Sequence, residues 1–200
     1  PIWQALEETG MPLLIHSAPL GSLAIDPAWE KGLVAGHVGQ TLQTLLNRAR
    51  APEAAVSNLI FEGVLERHPQ LRIGVIEFGS IWVPSFLKQI DYTFEFLGPR
   101  NRYLRERLTA RPSDYFRRQV KVSTFWSEPL DWLMEAAGAE IFMFASDFPH
   151  PEGNENAVER AQEALAQMPP ERVEKFFNGN ARELFGLASK ADTKKENLVA

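Results

Sequence analysis

Two kinds of hydrophobic pattern alternate along this chain. Short apolar runs, bounded by Gly or Pro, are separated by longer stretches in which apolar positions recur every three to four residues. The first kind reads as buried strand, the second as amphipathic helix. Strands are predicted at Met11–Ile15, Leu71–Ile76, Gln119–Ser123 and Ile141–Ala145. Helices are predicted at 2–9, 53–67, 80–97, 112–118, 128–137, 155–167 and 170–185, with breaks at Thr9-Gly10, His68-Pro69 and Gly138. Residues 188–200 are polar and Lys-rich and read as a frayed tail behind a folded unit at 1–187.

Continuous apolar strands alternating with helices predict an α/β fold, with parallel strands inside and helices outside. Four such strands make either an open sheet or half of an eight-stranded barrel. A complete (β/α)8 barrel takes roughly 250 residues, and the chain has 200. An incomplete barrel is the preferred expectation.

Composition narrows the chemistry. There are no cysteines, so disulfides, thiolate nucleophiles and Cys-ligated metals are excluded. Any metal must sit on His, Asp or Glu, a ligand choice that suits a hydrolytic or Lewis-acid ion. The net charge of −5 argues against nucleic acid or an anionic membrane as partner. No apolar run approaches the ~20 residues of a membrane span. The first residues lack the basic start of a signal peptide, and a cytoplasmic protein is expected. The chain opens on Pro1 and reads like a helix entered part-way, as a segment of something longer would.

Three predicted strands end in a residue able to bind metal or move protons: His16, Glu77 and Asp147. In a parallel arrangement all three reach the same edge, where α/β folds keep their chemistry. Each also has a plainer reading. His16 can be a hydrogen-bonded core histidine, and Asp147, in Ser146-Asp147-Phe-Pro, can cap the following turn. Glu77 can act as base, as ligand or as partner to an arginine. His150 follows Asp147 by three residues and is either a substrate contact or a plain surface histidine. His37, in the long Gly-rich connection 17–51, can reach into the site from above or end a helix. Trp126 follows a strand end and either lines the pocket or packs in the core. His68 precedes Pro69 at a helix C-terminus and is assigned no function. Residues 98–121 carry eight Arg or Lys against two acids. A solvated, ion-paired face explains them better than an anion site does.

Taken in order, Pro12-Leu-Leu-Ile-His16, Gly63-Val-Leu-Glu-Arg-His68-Pro69, Glu77-Phe-Gly79-Ser-Ile-Trp82-Val-Pro84, Ser146-Asp147-Phe-Pro-His150-Pro-Glu152-Gly153 and Asn180-Ala-Arg-Glu-Leu-Phe185 resemble the amidohydrolase-related proteins. This is the group of aminocarboxymuconate-semialdehyde decarboxylase and resorcylate decarboxylase, and the resemblance covers about residues 1–187. It implies a metal-dependent TIM barrel, of which this chain is about strands five to eight. It also implies a divalent metal, usually zinc, with His16 and Asp147 among its ligands and Asp147 doubling as proton acceptor. The implied activity is hydrolysis or non-oxidative decarboxylation of a small-molecule acid. A homo-oligomer or an upstream segment would complete the barrel. The chain departs from the family pattern twice. The first-strand ligand pair has no counterpart here, and Glu77 stands where the decarboxylases carry a histidine. The alternative is a non-catalytic fragment or subunit that needs a partner to complete the site.

Overall fold

The computed structural model describes residues 1–17, 34–35, 40–41, 47–150 and 153–187. His37 and the tail at 188–200 lie outside them. Helix α1 (Ile2–Thr9) stops at Gly10, whose φ of 66° lets the chain turn back. Strand β1 (Leu13–His16) follows, and Val34–Ala35 and Gln40–Thr41 form a two-stranded antiparallel pair, β2 and β3. Then come α2 (Arg50–Phe61), α3 (Val64–Arg67), β4 (Ile73–Ile76), α4 (Val83–Leu97), α5 (Arg102–Arg107), α6 (Pro112–Gln119), β5 (Val120–Ser123) and α7 (Leu130–Ala137). The chain ends in β6 (Phe142–Met143), α8 (Ala157–Ala164), α9 (Pro170–Glu174), a π-helical turn at Lys175–Gly179 and α10 (Asn180–Phe185).

Strands β1, β4, β5 and β6 form one parallel sheet in that order. The register aligns Leu13 with Ile73 and Val120, and Val122 with Phe142. Side chains alternate across a strand. Ile73, Val75, Val120, Val122 and Phe142 therefore share one face and join the core with Val83, Phe86, Tyr115, Phe116 and Leu133. Trp82, Phe86 and Phe116 meet edge-on in the middle of that core. The opposite face carries Leu14, Gly74 and Lys121. A side chain at Gly74 would strike Leu14 and Leu184, so the glycine admits α10 against the sheet. The Lys121 ammonium is buried there, 2.8 Å from Glu183 and donating to the Glu140 carbonyl at 2.6 Å.

Some boundaries differ from the sequence reading. The helix expected at 53–67 is split, because Gly63 adopts a φ of 67° between α2 and α3. The strand expected at 141–145 shrinks to two residues. Phe144 instead donates its N–H to Phe176 of the π-helical turn. The helix expected at 170–185 contains that turn. The pair β2–β3 and the short helix α5 were not foreseen.

The arginine-rich stretch is ion-paired structure. Arg102 pairs with Glu106, Arg111 with Glu95 and Arg117 with Glu140, and Arg107 lies over the Tyr103 ring. His68 pairs with Glu7 at 2.9 Å and ties α1 to the turn before β4. Among the described residues no helix is long and apolar enough to cross a membrane.

Candidate active site

Parallel pairing brings the ends of β1, β4 and β6 to one edge of the sheet. His16 closes β1, Glu77 follows β4, and Asp147 lies four residues past β6. Glu77 and Asp147 are the two non-glycine residues with positive φ among those described, at 62° and 52°. Bulky residues rarely adopt that conformation, and its cost of about 1 kcal/mol or more is tolerated where the surroundings over-determine it. Those surroundings are visible here. The Glu77 N–H donates to Ser123 Oγ at 3.1 Å, and Arg48 Nη1 donates to the Glu77 carbonyl at 3.4 Å. The Arg48 guanidinium also lies 5.5 Å from the centre of the Phe125 ring.

The loop behind Glu77 is latched by Glu128. Its Oε1 accepts from the Ser80 and Ile81 N–H groups at 2.7 and 2.8 Å. Its Oε2 accepts from Ser80 Oγ at 2.9 Å and from the Phe125 N–H at 2.7 Å. One carboxylate thus joins the loops that follow β4 and β5.

Asp147 sits in a tight loop. Its carbonyl accepts from the His150 N–H at 2.8 Å, and the Ser146 carbonyl accepts from the Asn154 N–H at 3.1 Å. Ser146 Oγ caps the turn by accepting the Phe148 N–H at 3.4 Å. The Phe148–Pro149 peptide is cis. Gly153 packs directly on the Asp147 main chain, where a Cβ would stand 2.3 Å from the carbonyl oxygen.

The side chains converge. Glu77 Oε2 accepts from Ser17 Oγ at 2.8 Å. Glu77 Oε1 lies 3.4 Å from His16 Nε2 and 3.8 Å from His150 Nδ1. The same His150 Nδ1 is 3.1 Å from Asp147 Oδ1. Glu77, Asp147 and His150 each bring a donor atom within 4.8 Å of the others, and His16 joins them through Glu77. The carboxylates are the inner members, 18% and 11% exposed. The imidazoles of His16 and His150 form the rim at 56% and 62%.

Burial works to raise the Glu77 carboxyl. Hydrogen bonds from Ser17 and Asp147 and the charges of His16 and His150 outweigh it and hold the group below the usual glutamate range. Two close carboxylates with imidazole neighbours and no thiolate are a donor set suited to a divalent cation of the zinc or manganese kind.

Trp126 lies in the loop after β5, with the Arg160 guanidinium 4.8 Å from its ring centre. Sequence reasoning passed over Ser17, Arg48, Ser123 and Glu128. Ser17 and Ser123 stand at strand ends and were open to discovery by position. Arg48 and Glu128 act across the fold and leave no local signal.

The family model described as Amidohydrolase matches residues 1–187. The chain belongs to the amidohydrolase family. An amidohydrolase from Mycobacterium avium subsp. paratuberculosis K-10 superposes with a TM-score of 0.75 at 27% identity, covering 93% of this chain and 45% of that one. 5-Carboxyvanillate decarboxylase from Novosphingobium aromaticivorans DSM 12444, complexed with manganese and 4-hydroxy-3-methoxy-5-nitrobenzoic acid, gives 0.66 at 27% identity, over 94% of this chain and 51% of that one. The 5-carboxyvanillate decarboxylase of Sphingomonas paucimobilis gives 0.67 at 25%, over 94% and 53%. The amidohydrolase chain described here therefore spans about half the length of these solved relatives. No curated protein matches it. The four-stranded parallel sheet with outer helices is the partial barrel anticipated from the alternating pattern.

Proposed function

We propose that this protein is a metal-dependent enzyme acting on a small organic acid, with non-oxidative decarboxylation of an aromatic acid favoured over hydrolysis. The observation that carries this reading is the meeting of His16, Glu77, Asp147 and His150 at one sheet edge. Two of the solved relatives are aromatic-acid decarboxylases, which supports the choice of substrate class.

His16 and Asp147 would hold a divalent ion, zinc or the manganese present in a relative. That ion would supply Lewis-acid polarisation of a substrate or water oxygen. The protein's own groups do the rest. In decarboxylation the bond between ring carbon and carboxylate breaks, CO2 leaves, and the ring carbon takes a proton from the Asp147 carboxyl, which gains that proton from water in each turnover. In hydrolysis Asp147 accepts the proton of the attacking water. Glu77, held ionised at neutral pH, serves as the second base. His150 and Trp126 contact the substrate from the rim, and His37 does so from the connection after β1.

The test is turnover of the metal-loaded protein on a panel of hydroxylated aromatic acids that includes 5-carboxyvanillate. Asp147→Asn is expected to lower kcat about a thousandfold. Full turnover by Asp147→Asn would sink the reading.

A further inference from the structure

We infer that Glu77 and His150 are themselves metal ligands, so that with Asp147 they form a three-residue donor set, which His16 borders through Glu77. The inference rests on the metal-centre reading above and changes the roles within it. Glu77 moves from base to ligand, and His150 from substrate contact to ligand.

The first argument is the orientation of His16. Its Nδ1 lies 2.5 Å from the Ser17 carbonyl oxygen. A carbonyl only accepts, so Nδ1 donates to it, and Nε2 is aimed at Glu77 Oε1 at 3.4 Å. A ring whose other nitrogen donates to a carbonyl is also the arrangement in which histidines ligate metals.

The second argument is spacing. Ligand bonds to zinc run about 2.0–2.2 Å, so ligand atoms on one ion stand about 3–4.4 Å apart. The separations His150 Nδ1 to Asp147 Oδ1, His16 Nε2 to Glu77 Oε1, and His150 Nδ1 to Glu77 Oε1 are 3.1, 3.4 and 3.8 Å. Each falls in that window, and the donor atoms of Glu77, Asp147 and His150 all lie within 4.8 Å of one another, with His16 beside them through Glu77.

The third argument is backbone. Both carboxylate bearers are turned into the left-handed region, and Glu77 is clamped by Ser123 on one side and Arg48 on the other. A residue whose task was to meet a diffusing substrate needs no such clamp. A ligand that must keep its oxygen in one place does.

The experiment is divalent-ion affinity of the 200-residue chain, measured by competition with a chromophoric chelator for Zn²⁺ and Co²⁺. Glu77→Gln and His150→Ala are each expected to weaken binding at least about tenfold. The visible bands of bound Co²⁺ should change in both. Exogenous imidazole should restore affinity and spectrum to His150→Gly. Circular dichroism melts identify any variant that fails to fold, and the imidazole rescue then carries the test. If Glu77→Gln and His150→Ala bind as wild type while His16→Ala and Asp147→Asn do not, the inference is overturned and the metal-centre reading stands. If the unmodified chain binds no ion, the claim that Glu77, Asp147 and His150 form a donor set fails. If none of the four substitutions changes the affinity of a chain that does bind, the metal-centre reading fails with it.

Discussion

Adding one methyl group at Gly153 tests how tightly the Asp147 loop is built. The glycine is not there for a left-handed φ; it is there for space. A Cβ at this position would stand 2.3 Å from the Asp147 carbonyl oxygen, 2.4 Å from its carbonyl carbon and 2.7 Å from the Phe148 nitrogen. All three are backbone atoms and cannot rotate away. Real contacts of a Cβ stay beyond 3.0 Å, so the two strands of the loop must part by about 0.7 Å. His150 and Asn154 hang on the same loop through hydrogen bonds to Asp147 and Ser146. A misplacement of about 1 Å can cost on the order of a hundredfold in rate. Gly153→Ala should therefore lower kcat/KM about 10- to 100-fold. The overpacked loop should lower stability by about 1–3 kcal/mol. Chemical denaturation and steady-state kinetics on the same preparation measure both. A Gly153→Ala protein with wild-type kcat/KM would refute the claim that this contact sets the position of Asp147.

Three further outcomes are expected. Glu128→Gln keeps the shape of the latch, but an amide oxygen replaces only one of two accepting oxygens. Urea titration should show a loss of about 2–3 kcal/mol, and an unchanged midpoint would count against the latch. Asn180 is fully buried and donates to the Ala139 and Phe142 carbonyls, both at 2.7 Å, so Asn180→Leu should cost about 3 kcal/mol by the same assay. The hydrogen bond from the Tyr115 hydroxyl lowers the Glu66 carboxyl below its ordinary range, against the raising effect of burial and with help from Thr109 and Arg118. A depressed folded-state value means stability that is present above the ordinary glutamate pKa and lost as pH falls through the folded one. The stability gap between wild type and Tyr115→Phe should therefore narrow as pH drops from about 5 toward 3 in denaturation curves. A gap that widens in acid would contradict the assignment.

The parallel sheet was legible because three of its four strands lie in short apolar runs bounded by breakers, while the third of them in sequence, β5, carries Lys121 between two valines. The edge that gathers His16, Glu77 and Asp147 was legible for the same reason: parallel strands end together. The interruption at Gly63 was harder to foresee, since the apolar spacing of Val56, Leu59, Ile60 and Val64 runs through it. Strand β6 was overestimated because Phe144 is apolar and reads as strand, whereas its N–H is taken by Phe176, more than thirty residues later. Arg48 and Glu128 could not be read locally. Each stabilises a partner distant in sequence, and a loop arginine or glutamate looks the same whether it latches a site or faces water. The left-handed backbone at Glu77 was also hidden, because Glu is not a residue that announces positive φ, whereas Asp147 is of a type that tolerates it.

Those two backbones set fold stability and chemistry against each other. At positions 77 and 147 the residue best for the local backbone is glycine, worth about 1 kcal/mol over a residue with a Cβ in that conformation. Glycine there would carry no carboxylate. A thermostability selection blind to activity would thus drift first toward Gly at 77 and 147. On the metal-centre reading proposed above, what favours an acid at each position is the use of its oxygens.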